Sequence, residues 1–170
     1  MAVLKICTYP DPVLREQSEP VEVIDEDIQQ LINDMAETMY SAPGVGLAAN
    51  QVGRPLRLIV IDVQKEDCDQ GLITLINPEL VNASGEASFE EGCLSVPEFF
   101  ASVKRAEEVI VRGLNRQGEE VEISTGGFLA IVLQHEMDHL DGKLFIDRIN
   151  PVTRDIFKRK WKKKHKEAKE

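Results

Sequence analysis

The sequence predicts a single α+β domain. Three features carry that reading: an amphipathic helical period near the N-terminus, a central run of short β-branched segments ending in a hairpin, and an apolar helix followed by a strongly basic one. At 170 residues, 42% of them hydrophobic, the chain is long enough to bury one real core and too apolar to be disordered.

The elements follow in order. Pro10, Pro12 and Pro20 make residues 10–22 an irregular opening. From Asp25, a plausible N-cap, Ile28, Leu31, Ile32, Met35, Ala36 and Met39 keep the 3.6-residue period of a helix. "SAPG" at 41–44 stops it. Residues 57–63 and 72–76 are β-branched-rich and read as strands. Residues 109–111 and 121–123 flank "NRQG" at 115–118, which reads as a hairpin. "STGG" at 124–127 leads into a helix over 128–140 that is apolar nearly all round and therefore buried, with Asp141 and Gly142 as its stop. A last helix follows Pro151.

Composition narrows the setting. No apolar run approaches the roughly 20 residues that span a bilayer. The N-terminus has neither a signal-peptide core nor the character of a transit peptide, so a cytoplasmic location is expected. Cys7, Cys68 and Cys93 are too few for a disulfide framework, which points to free thiols or a metal ligand. Cys7 and Cys68 read as small buried hydrophobes. The net charge of −10 is divided unevenly. Residues 151–170 hold nine Lys/Arg and three Asp/Glu, a net of +6, whereas residues 1–150 hold eleven and twenty-seven, a net of −16.

"LQHEMDHLDG" at 133–142 sets His135 and His139 four residues apart on the predicted buried helix. Residues i and i+4 share a helix face, so both imidazoles can grip one ion, with Glu136 beside it to take a proton from a bound water. Two ligands are not enough. The next His of the longer pattern H-E-x-x-H-x-x-G-x-x-H is replaced here by Phe145; His165, Glu167 and Glu170 lie in the basic tail and read as solvated. In "EEGCLSVPE" at 90–98, Cys93 follows a glycine in a loop-like stretch between strands, and a thiolate is a strong ligand for zinc or iron(II). "GVGLAANQ" at 44–51 formally matches a dinucleotide fingerprint, but a helix precedes it where a strand is required. Its glycines read instead as places where backbone runs close to a substrate, with the Gln51 amide as a donor.

"GVGLAANQ", "EGCLS" (91–95) and "QHEMDH" (134–139), in this order, resemble the three signature motifs of the peptide deformylases, and the similarity runs from "YPDPVLR" near the N-terminus to "DHLDGKLF". The resemblance implies antiparallel sheets around a buried central metal-binding helix. It also implies an enzyme that removes the formyl group from the N-terminal N-formylmethionine of nascent polypeptides, releasing formate. Cys93, His135 and His139 would hold one divalent ion, Fe(2+) in the cell and Zn(2+), Ni(2+) or Co(2+) as what a purified sample could carry. Glu136 would be the general base, and Gln51 with the Leu94 backbone N–H would steady the oxyanion. The methionine pocket would be Val45, Phe89, Phe128, Ile131 and Val132, with Gly44, Gly46, Glu91 and Gly92 along the substrate backbone. Asp138 or Gln134 would orient the histidines, and Arg105 would pair with Glu91.

Residues 1–150 then form the catalytic domain and 151–170 a basic helical extension of it, of the bacterial type, that contacts the ribosome; no membrane and no sequence-specific nucleic acid is expected. Many bacterial members carry an arginine shortly after the position of Pro97, where this chain has Phe99 and Phe100, so preference beyond methionine shifts toward apolar. Two competing readings remain: a protease or aminopeptidase on the same helix, which would cleave unformylated peptides, and a non-enzymatic metal module, which predicts an altered ligand or base, whereas Cys93, His135, Glu136, His139 and Gln51 are all present.

Overall fold

The structure is a computed structural model and describes residues 2–63 and 71–168, with side chains through residue 166. Cys68, Glu170 and the side chain of Glu167 lie outside the described residues. Helix α1 (Glu26–Ser41) begins where Asp25 accepts a hydrogen bond from the Ile28 N–H at 3.0 Å. The strands β1 (Gly46–Ala48), β2 (Leu58–Ile61), β3 (Ile73–Ser84), β6 (Glu108–Leu114) and β7 (Glu120–Gly126) form one antiparallel sheet in the order β1-β2-β3-β6-β7. The strands β4 (Ala87–Cys93) and β5 (Val96–Arg105) form a separate antiparallel pair. Helices α2 (Gly127–Leu140) and α3 (Pro151–Ala168) complete the α+β domain.

Strand alternation divides the core into two layers. On β2, Leu58 and Val60 face α1 through Ile28, Leu31, Met35 and Met39. Ile59 and Ile61 face α2 through Leu129, Ala130, Val132 and Leu133. All four strand residues are fully buried, which explains a strand that reads as continuously apolar. A third cluster joins Leu14, Val96, Val103, Phe145 and Ile149 to Phe157 of α3. No helix among the described residues is long and apolar enough to cross a membrane.

Three elements depart from the sequence reading. The strand expected at 72–76 continues to Ser84, because Asn77 and Pro78 make a bulge rather than an end. Asn77 takes φ 53°, and its side chain holds the Val21 N–H and C=O at 2.8 and 2.9 Å. The β4–β5 hairpin was not anticipated, and Cys93 ends a strand instead of lying in a loop: Leu94 and Ser95 form a two-residue turn between paired Cys93 and Val96. The short β1, only three residues long, fell below any periodic signal.

Helix α2 positions the site, and its C-terminus is firmly set. The N–H groups of Gly142 and Lys143 bond the carbonyls of His139 and Asp138 at 3.0 and 2.9 Å, a Schellman closure. Gly142 has φ 73°, and a Cβ there would lie 2.5 Å from the Arg15 carbonyl oxygen, so neither the conformation nor the space admits a side chain.

Candidate active site

Three chain segments converge on one face of α2. His135 and His139 come from the helix, Cys93 from the end of β4, and Gln51 from the short 3-10 turn after β1. The Cys93 Sγ and the two Nε2 atoms approach closely: Cys93 Sγ to His139 Nε2 is 3.4 Å and His139 Nε2 to His135 Nε2 is 3.3 Å. All the ligand atoms of this trio lie within 4.8 Å of one another. Bonds of about 2.0 Å to nitrogen and 2.3 Å to sulfur in a tetrahedral site put N–N separations near 3.3 Å and S–N near 3.5 Å. The two close separations therefore fit a shared ion, and one thiol with two imidazoles suits zinc or iron(II). Burial and the neighbouring charges of His135 and Arg105 hold the His139 imidazole well below its ordinary pKa, which leaves it neutral and able to ligate. Burial also opposes charge on His135, but hydrogen bonds to Cys93 and Glu91 outweigh it and raise its pKa.

Glu136 is 3% exposed, and its Oε2 has no hydrogen-bond partner. Its Oε1 lies 3.8 Å from His135 Nε2. Burial, reinforced by the charge of Glu91 and offset by His135 and Arg105, pushes its carboxyl up to about 7. A carboxyl in that range suits proton transfer near neutral pH. Gln51 is locked in orientation: its amide oxygen accepts from the Ala48 N–H at 2.9 Å, and its nitrogen donates to Ser95 Oγ at 3.0 Å and approaches Cys93 Sγ at 3.7 Å.

These groups open into a cavity of about 490 Å³. Gly44, Val45, Gly46, Gln51, Phe89, Glu91, Gly92, Cys93, Leu94, Phe128, Ile131, Val132, His135 and Glu136 all line it, whereas His139 lies behind the wall, fully buried. The apolar side is deep at Ile131 and Val132, which are buried, and open at Phe89 and Val45, which are exposed; the Phe89 and Phe128 rings meet at 5.4 Å. Phe100 also lines the mouth and is exposed, and Phe99 turns away to pack on Phe145 and Phe157.

Two of the glycines also make room inside the protein. A Cβ on Gly46 would sit 2.9 Å from Glu136 Cγ, and one on Gly92 would sit 2.5 Å from Phe100 Cε1. Both leave room for the protein's own side chains. The partner of His135 differs from expectation. It is Glu91, whose Oε1 lies 2.9 Å from His135 Nδ1, and not Asp138 or Gln134. Gln134 instead clasps the Ala106 N–H and C=O at 3.0 and 2.9 Å. The buried Glu91 side chain is gripped by Arg105, with Nε and Nη2 at 2.6 and 2.9 Å, while Arg105 Nη1 reaches Asp138 at 2.8 Å. Arg148 adds two more bonds to Asp138. Burial alone would raise the pKa values of Glu91 and Asp138, but these partners hold both below the usual carboxylate range.

Sequence reasoning missed Ser95, Arg148 and Asn50, whose Nδ2 holds the His139 carbonyl at 2.6 Å. The only signals for Ser95 and Asn50 were their places inside "EGCLS" and "GVGLAANQ"; Arg148 gave none. His165 is exposed, stacks on Trp161 at 3.9 Å and takes no part in the site, as expected.

Comparison with known proteins agrees with this geometry. The profile of the polypeptide deformylase family matches residues 3–155. A peptide deformylase of Syntrophobacter fumaroxidans is 66% identical over 168 residues, covering 99% of each chain. The crystal structure of a peptide deformylase from Legionella pneumophila superposes with a TM-score of 0.90 at 49% identity over 99% of both chains. That of an Ehrlichia chaffeensis peptide deformylase in complex with actinonin does so at 0.90 and 41% identity, covering 96% of this chain and 98% of that one. The chain belongs to the polypeptide deformylase family, metal-dependent hydrolases that remove the formyl group from the N-terminal methionine of nascent polypeptides and release formate.

Proposed function

We propose that Cys93, His135 and His139 hold the divalent ion of this deformylase, with Fe(2+) as the working metal and Zn(2+), Ni(2+) or Co(2+) as substitutes. One observation carries the assignment: the three donor atoms converge beside a buried, unpartnered carboxylate oxygen in a cavity of about 490 Å³. When bound, the ion would lower the pKa of its water toward about 7 and would polarise the formyl oxygen.

The protein's own groups do the rest. Glu136, with a pKa near 7, takes the proton from the attacking water and returns it to the leaving amine. The Gln51 amide nitrogen, fixed by Ala48 and Ser95, and the Leu94 backbone N–H at the hairpin turn stabilise the oxyanion. Val45, Phe89, Phe128, Ile131 and Val132 receive the methionine side chain. Gly44, Gly46, Glu91 and Gly92 run along the substrate backbone, the Glu91 side chain serving His135 instead. The location is cytoplasmic. Residues 151–170 extend the catalytic domain of residues 1–150, a reading supported by Phe157, which is 4% exposed in the third core cluster. The outer face of α3 docks on ribosomal RNA through its lysines.

Formate release from formyl-Met-Ala-Ser, beside unformylated Met-Ala-Ser, tests the activity, and Glu136→Ala tests the mechanism. The variant retains its metal by elemental analysis and loses about 10²–10⁴ in turnover. An active variant, or one that has lost its metal, refutes the role of Glu136. Cleavage of the unformylated peptide would favour a protease.

A further inference from the structure

Glu98 takes part in two structures at once. It lines the mouth of the cavity, and it is ion-paired to Lys164 near the end of α3. Its φ of 65° is rare for a residue with a side chain, so the rim is bent at the residue that meets the helix. Phe157, Trp161 and Lys164, at i, i+4 and i+7, share one face of α3. Phe157 packs on Phe99 at 4.8 Å, and Trp161 on Tyr9 at 5.4 Å. The inner face of the helix thus holds the rim segment 98–99. Lys158, Arg159, Lys160, Lys162, Lys163 and Lys166 are exposed and make no ion pair among the described residues. A helix of net positive charge on an acidic body fits a phosphate backbone.

We propose that the Lys164–Glu98 pair couples RNA docking on α3 to the charge of the substrate mouth; this rests on the deformylase and RNA-docking readings above. RNA phosphates compete with Glu98 for Lys164. When Lys164 is drawn away, Glu98 presents an unpaired carboxylate at a mouth already lined by Glu90 and, among the described residues, by no lysine or arginine. A formylated chain with a basic side chain beyond methionine is then favoured, and one with an acidic side chain is disfavoured. The two side chains are 59% and 72% exposed, so the pair is weak and the change is limited to about two- to fivefold.

The test uses full-length, metal-loaded protein at low salt. It measures kcat/KM for formyl-Met-Ala-Lys and formyl-Met-Ala-Asp with and without a saturating short RNA duplex, whose binding is followed by fluorescence anisotropy. RNA should raise the Lys-over-Asp ratio about two- to fivefold in the native protein. Lys164→Ala should show the raised ratio without RNA and no further rise with it. Glu98→Gln keeps every lysine for RNA and should show no rise. An unchanged ratio in the native protein, an equal rise in Glu98→Gln, or no binding of the duplex overturns the proposal. Absence of formate from formyl-Met-Ala-Ser would instead overturn the deformylase reading itself.

Discussion

Replacing Arg105 by alanine should weaken both the fold and the metal site. The Arg105 side chain is 3% exposed and bridges Glu91, 5% exposed, to Asp138. Removing one partner of a buried pair costs about 3–5 kcal/mol, because the other charge is left uncompensated. Asp138 keeps its bonds from Arg148, so the loss falls toward the lower end, about 3 kcal/mol. Glu91 keeps only His135, at 2.9 Å. With a urea m-value of about 1–3 kcal/mol/M, the unfolding midpoint should drop by about 1 M or more. Because Glu91 sets the orientation of His135, metal affinity should also fall about 10–100-fold. Urea unfolding with and without metal measures the first effect, and competition with a chelator the second. The neutral pair Glu91→Gln with Arg105→Met should be less destabilised than the sum of its single variants, since neither leaves a charge alone. A loss for Arg105→Ala below about 1 kcal/mol, or an unchanged metal affinity, would refute the buried network as the support of His135.

Cys93 should be the oxidation-sensitive group of the iron form, as a thiolate ligand reachable from the cavity. Peroxide should inactivate the iron enzyme faster than the zinc enzyme; mass spectrometry that finds an intact Cys93 thiol and unchanged iron in inactivated protein would contradict this. Gly46→Ala places a Cβ against Glu136, so kcat should fall about tenfold or more and stability by about 1–3 kcal/mol, read from formate release and urea unfolding. Unaltered kcat would mean that the glycine is not what positions the base. Truncation after Asn150 removes buried Phe157 as well as the lysines, and should cost about 3–5 kcal/mol by urea unfolding. A truncated protein as stable as the full chain would show that α3 contributes nothing to the core. For this reason ribosome binding is better tested by charge reversal at Lys158, Lys162 and Lys166, which are exposed. Such a variant should lose co-sedimentation at low salt and keep turnover of formyl-Met-Ala-Ser.

What the sequence by itself determined is local or periodic. The apolar period and Asp25 defined α1 almost to the residue, because capping and amphipathicity act within one or two helical turns. The four-residue spacing of His135 and His139 guaranteed two imidazoles on one face, because helix geometry alone places them there. Cys93 is a different case: it lies 42 residues before His135, and only the motifs around it suggested the meeting that the fold brings about. Tertiary structure alone decided that Glu91 holds His135, that Arg105 and Arg148 share Asp138, and that Ser95 fixes the Gln51 amide. It also decided that Gly46 makes room for Glu136 and that Glu98 joins the cavity to α3. Each of these contacts joins side chains far apart in the chain, or sets an orientation that no short-range preference encodes. A buried charge needs a partner, but the sequence does not say which one, because the choice follows from where the fold brings the end of β5 to α2, and α3 to the rim.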